Sequence, residues 1–137
     1  MNTLKIIAAS KSIEIVVRRL LAEHDVTVSQ FEVMTAIRSE SKPILTIAKE
    51  LSNAVPGITG LIDRLEKAEF VTRERSKKDR RVVSISLTKS GEAKLKAAEK
   101  TMAEFEKRIN KLVAATDMDN VVDCLTEIKT ELANTEQ

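Results

Sequence analysis

The chain has 137 residues, 42% of them apolar and 32% charged, with a net charge of +2; this is one domain's worth of sequence with enough apolar side chains for a core. It holds no run of about 18 apolar residues that could span a membrane, and its opening MNTLKIIAASKSIEIVVRRL is interrupted by Lys5, Lys11, Glu14, Arg18 and Arg19, unlike a secretory signal. One histidine, one cysteine and three glycines supply no zinc cluster, HExxH, Walker loop or GxGxxG, so neither enzyme, metal nor cofactor is expected, and the expected location is the cytoplasm.

Apolar residues from Leu4 to Leu21 fall at helical spacing with a wide apolar face that includes Ile6 and Ile13. His24 and Asp25 follow in a loop. Ser29 with Glu32 fits a capping box, so a second helix is expected to start at Ser29 and to be ended by Pro43. Thr46 is a good N-cap for a short helix over Ile47–Leu51. Pro56 then suits the first turn of a fourth helix, whose Ile58, Leu61, Ile62 and Leu65 share one face.

After Ala68 the pattern changes to period two. Val71, Arg73 and Arg75, then Val83, Ile85 and Leu87, mark two strands joined by Ser76-Lys77-Lys78-Asp79-Arg80, a β-hairpin with a basic tip. From Thr72 to Arg81 six basic residues stand against two acidic ones, a local +4 on a chain whose total is +2. Such a concentration reads either as a phosphate-facing surface or as a solvated loop. The absence of Trp and Tyr removes the stacking platforms that single-stranded nucleic acids need, which favours duplex DNA.

Thr88 caps a long helix in which Leu95, Ala98, Met102, Phe105, Ile109 and Leu112 are spaced alternately three and four apart, a heptad seam. A last helix carries Val121, Leu125 and Ile128 on its apolar side. Cys124 is either a small buried residue or a redox sensor. The fold class expected is mainly α with a small β-hairpin (α+β). A compact core is expected at 28–88, between helical extensions at 1–27 and 89–137. The terminal seams, through Ile6, Ile13, Phe105, Ile109, Leu112, Val121, Leu125 and Ile128, exceed what this core can cover and are expected to pair in a two-fold homodimer.

The segment TIAKELSNAVPGITGLIDRLEKAEFVTRERSKKDRRVVSISLTKSG resembles the core of the MarR family. TIAKEL is similar to the first helix of that family's helix-turn-helix. LIDRLEKAEFVTR is similar to the end of its recognition helix and the first wing strand. DRRVVSISLTKSG is similar to its Asp-Arg-Arg wing and Leu-Thr-x-x-Gly helix start. The resemblance implies a transcription regulator, a repressor in most members, that binds a pseudo-palindromic duplex site and is released by a small anionic aromatic effector. By the same resemblance Arg81 approaches the minor groove and Asp79 pairs with its guanidinium, whereas Asp79 read by itself simply favours a turn. Lys77, Lys78 and Arg80 are expected at phosphates. Arg73 and Arg75 either touch DNA or make a salt bridge within the wing.

Pro56, Gly57, Thr59, Gly60 and Arg64 fall on the helix expected to read the major groove. Gly60 stands where the family often has a polar or basic base reader. Close backbone approach, readout of DNA shape, or loss of strong DNA binding are the alternatives; the last would leave a winged-helix protein-interaction module. Glu69 stands where the family has a glycine in a left-handed turn. His24 either borders an effector pocket or is an ordinary loop residue.

Overall fold

In a computed structural model, which describes residues 1–112 together with 119, 120, 122, 123, 126, 127 and 130, residues 1–112 run α1 (Asn2–Ala22), α2 (Val28–Ala36), β1 (Lys42–Pro43), α3 (Ile44–Glu50), α4 (Val55–Lys67), β2 (Val71–Arg75), β3 (Val83–Leu87) and α5 (Lys89–Leu112). The fold is mainly α with a small antiparallel sheet, as the sequence pattern predicts. Two compact units divide the chain, Met1–Met102 and Ala103–Gln137.

The core of the first unit gathers Val33, Met34 and Ile37 at α2, Ile47 and Ala48 from α3, the apolar face of α4, Val71 and Ile85 from the sheet, and Leu95 from α5. The α4 contributors Ile58, Leu61, Ile62 and Leu65 recur at i, i+3, i+4 and i+7, so burial of that stripe fixes the rotation of the helix and turns its opposite side outward. The expected hairpin is present, with Val71 opposite Leu87 and Arg75 opposite Val83. It gains a third strand on the other edge of β3, where Lys42 faces Ile85 and Pro43 faces Ser84. Two residues carry no readable alternation, and a proline is acceptable there because the strand is an edge.

Three local expectations are corrected. The capping box of α2 is Thr27 with Gln30, which bond each other's backbone amides at 3.1 and 3.0 Å, not Ser29 with Glu32. Both pairs satisfy the same spacing rule, and the earlier one starts the helix two residues sooner. That helix ends at Ala36 rather than at Pro43. Pro43 instead occupies the cap position of α3, which starts at Ile44, so Thr46 lies within the helix. The fixed φ of proline suits that extended cap without a side-chain hydrogen bond.

Helices α1, α3 and α4 close in one manner. Val26 N–H reaches the Leu21 carbonyl at 3.2 Å, Asn53 reaches Ala48 at 2.9 Å and Phe70 reaches Leu65 at 2.9 Å. The preceding residues, Asp25, Ser52 and Glu69, have φ of 55°, 50° and 61°. These are Schellman closures with a side chain where glycine is usual. Glu69 therefore adopts the left-handed turn that the MarR-like pattern assigns to this position, at a cost of about 1 kcal/mol.

The start of α5 is seated on this turn. Thr88 caps the helix as expected, its hydroxyl oxygen accepting from Gly91 N–H at 2.9 Å. The same hydroxyl donates to the Glu69 carbonyl at 2.7 Å, and Thr88 N–H donates to the Phe70 carbonyl at 3.0 Å. Further along, Thr101 Oγ1 pairs with His24 Nε2 at 2.7 Å and Glu99 accepts from Arg38 at 2.7 Å. These bonds tie α5 to the ends of α1 and α2, and they give His24 a partner.

Part of the expected heptad seam belongs to the first unit: Leu95 and Ala98 are buried. Within the second unit Phe105 and Ile109 are half-buried. The side chain of Leu112, and Val121, Cys124, Leu125 and Ile128, lie outside the described residues. On α1 only Leu21 is buried, while Leu4, Ile6, Ile7, Ile13, Ile15 and Val16 are exposed.

Candidate nucleic-acid interface

Burial of Ile58, Leu61, Ile62 and Leu65 leaves the other side of α4 outward. Val55, Pro56 and Gly57 are exposed in the first turn, Thr59 and Gly60 are half-buried in the second, and Asp63 and Arg64 are exposed in the third. Pro56 sits in the first turn as expected, and α4 has no side-chain cap. First-turn amides without a side-chain acceptor suit an anion. The Thr59 hydroxyl donates to the Val55 carbonyl at 2.9 Å, so its single hydrogen is committed within the helix. No heavy atom lies within 4 Å of the place a Cβ on Gly60 would occupy, whereas at Gly57 such an atom would meet Asn53 Oδ1 at 3.2 Å. The fold therefore does not require Gly60, and its bareness is a property of the outward surface.

The wing tip is ordered by two small polar side chains. Ser76 Oγ accepts from the amides of Lys78 and Asp79 at 3.2 and 3.3 Å. Asp79 Oδ1 accepts from the Arg81 amide at 3.0 Å. Main-chain bonds from Ser76 N–H to Val82 and from Val82 N–H to Asp79, at 2.9 and 3.0 Å, close the loop. Asp79 thus steers Arg81 through its backbone: among the described residues no ion pair joins the two side chains. At a spacing of two residues the amide lies within reach, while pairing an exposed guanidinium gains little. Lys77, Lys78, Arg80 and Arg81 are exposed, and Arg75, Ser76, Lys77 and Arg80 surround a concavity of about 430 Å³.

Arg73 has another role. Its guanidinium pairs with Asp63 and with Glu66, both on α4. The hydrogen bond that Arg73 donates to Asp63, with help from the charge of Glu66, pushes the guanidinium up from its ordinary value despite partial burial. The salt bridge left open for Arg73 or Arg75 is therefore made by Arg73, and it runs to α4 rather than within the hairpin. Asp63, an acid on the surface expected to meet phosphates, is neutralised by the same contact. Arg75 is exposed and has no ion pair among the described residues.

A groove of about 570 Å³ lies between the start of α3, the first turns of α4 and the base of the wing, with Pro43, Leu45, Val55, Thr59, Arg81 and Val82 on its walls. The sequence reading did not place Leu45 or Val82 in a site. Their signal was adjacency: Ile44 beside Leu45, and Val82 beside Val83, cannot both turn inward on a short helix or a strand. Among the described residues no three His, Cys, Asp or Glu side chains are grouped to hold a metal, and no helix is long and apolar enough to cross a membrane.

Comparison with known proteins places this arrangement. Residues 16–98 match the family described as transcriptional regulator SarA/Rot. The HTH-type transcriptional regulator SarZ of Staphylococcus haemolyticus is 31% identical over 113 residues, covering 79% of this chain and 73% of that protein. Among solved structures, the transcriptional repressor CouR bound to a 23-mer DNA duplex superposes with a TM-score of 0.85 at 25% identity, over 94% of this chain and 92% of that one. A MarR variant from E. coli complexed with operator DNA gives a TM-score of 0.82 at 22% identity, over 92% and 91% of the two chains, and shares the fold that the MarR-like motifs imply. The chain belongs to the SarA/Rot family of winged-helix transcriptional regulators, a family of regulators rather than of enzymes.

Proposed function

We propose that the protein is a homodimeric, cytoplasmic repressor that binds a pseudo-palindromic duplex site. Helix α4 enters the major groove with Pro56, Gly57, Thr59, Gly60 and Arg64 toward the base edges. Lys77, Lys78, Arg80 and Arg75 neutralise phosphates, and Arg81 enters the neighbouring minor groove. Arg73 is reassigned from DNA contact to holding β2 against α4. The flanking segments 1–27 and 89–137 pair two copies. A small anionic aromatic effector releases DNA by changing the separation of the two recognition helices.

One observation carries this reading: a cationic turn, held open to solvent by Ser76 and Asp79, stands beside a helix whose outward face is exposed. A DNA-bound neighbour with the same fold supports the choice of duplex DNA. Selection of duplexes from a random pool at physiological salt tests it. The expected result is a two-fold symmetric site with halves about 34 Å apart, bound with an affinity that falls steeply as salt rises. Absence of any enriched duplex, or binding indifferent to salt, would count against it.

A second reading, a protein-docking module, is favoured by the scarcity of uncommitted polar side chains on α4, where the Thr59 hydroxyl is committed to its own helix and the Asp63 carboxylate to Arg73. Arg81→Ala separates the two. Loss of duplex binding supports the regulator, and unchanged binding together with unchanged repression in cells supports the docking module.

A further inference from the structure

The outward face of the first two turns of α4 has no uncommitted side-chain hydrogen-bond donor, but it is not without features. Val55 is 41% exposed in its first turn, and across the groove Leu45 is 66% and Val82 36% exposed. These apolar side chains share the groove of about 570 Å³ with Thr59 and Arg81. The Thr59 hydroxyl hydrogen is bound to the Val55 carbonyl, and Gly60 beside it presents no side chain. A polar code of donors matched to acceptors is therefore nearly absent here. An apolar surface in the major groove can still recognise one feature of a base pair, the C5-methyl group of thymine.

We infer that Val55, backed by the apolar groove, contacts thymine C5-methyl groups and is a specificity-determining residue of each half-site. The inference rests on the DNA-binding reading above. The occupant is the methyl edge of duplex DNA because Arg81 stands on the rim of the same groove. That cation can hold a strand of the duplex while the methyl group lies against Val55. Gly57 and Gly60 allow the close approach a methyl contact needs, since neither holds a side chain between helix and bases. Burial of a methyl group against an aliphatic side chain requires no directional partner, which suits a helix whose hydroxyl is already spent.

The experiment uses the full chain and a duplex recovered from the random pool. Each thymine is replaced in turn by deoxyuridine, which removes only the methyl group. At one or two positions per half-site affinity is expected to fall about 3- to 10-fold, as for burying a single methyl or a little more. In Val55→Ala the thymine-to-deoxyuridine ratio at those positions is expected to collapse to less than about 2-fold, and in Val55→Ile to persist, because the apolar surface is lost in one and kept in the other. A salt-dependent duplex that tolerates deoxyuridine everywhere overturns the inference and leaves the DNA-binding reading standing. Full discrimination retained by Val55→Ala overturns it as well. Failure to recover any duplex sinks both.

Discussion

Gly91 lies so close to the Phe70 carbonyl oxygen that a Cβ at position 91 would run into it, with Leu87 Cδ2 a further 3.2 Å neighbour. The first turn of α5 is thereby seated on the junction between α4 and β2, where Thr88 also bonds Glu69 and Phe70. The Leu-Thr-x-x-Gly motif is a packing device: threonine ties down the turn, and glycine leaves room for it.

Gly91→Ala is expected to lower stability by about 2–3 kcal/mol, in the range for overpacking against a backbone that cannot withdraw. A urea titration followed by far-ultraviolet circular dichroism measures it. A variant within about 0.5 kcal/mol of the parent, the level of an ordinary surface change, would show that the turn can move aside.

Glu69→Gly is expected to act in the other direction. Its φ of 61° favours glycine, and relief of strain exceeds the added freedom of the unfolded chain, for a net gain of up to about 1 kcal/mol. The urea midpoint should rise with an unchanged slope.

Arg73→Ala and Lys77→Ala should both weaken duplex binding, for different reasons. Removing the exposed Lys77 would delete the proposed phosphate contact and should reduce the salt slope by about one. Removing Arg73 frees the carboxylates of Asp63 and Glu66 on the proposed DNA-facing surface and loosens the hairpin, so affinity is expected to fall while the slope stays within about half a unit of the parent. Arg73 also has a pH signature. A cation whose folded pKa is raised contributes stability below its unfolded pKa, lost only as pH rises through the folded value. Arginine already titrates at the far alkaline end. The stability difference between Arg73→Ala and the parent should therefore be flat from about pH 7 to about pH 9.

Ile6→Glu with Ile13→Glu tests pairing of the terminal helices. Both side chains are exposed within the protomer, so the fold should survive. Burying two charges in an apolar seam should dissociate the dimer. Sedimentation equilibrium reads the outcome: a parent already monomeric at micromolar concentration would remove the basis for a two-fold operator.

Regular patterning made most of the fold legible. The stripe Ile58, Leu61, Ile62, Leu65 placed α4, and the switch to period two at Val71 placed the wing. Local rules failed where two positions satisfy one rule, as with Thr27–Gln30 against Ser29–Glu32, or where an element is too short to show a period, as with Lys42–Pro43. The candidate site was legible in charge but not in partnership. Nothing in the spacing of Arg73 and Asp63 signals that strand and helix will bring them together. Nor does a threonine in sequence disclose that its hydrogen is turned back on its own helix.

The double tether of Arg73 also bears on how such a regulator can change its target. With β2 fastened to α4 by two carboxylates, strand and helix form a caliper of set opening, and on the proposed function each half of the operator would be gauged by a fixed jaw. New targets are then most accessible through replacements at the bare positions of α4, Gly60 foremost, which alter what is read without resetting the instrument.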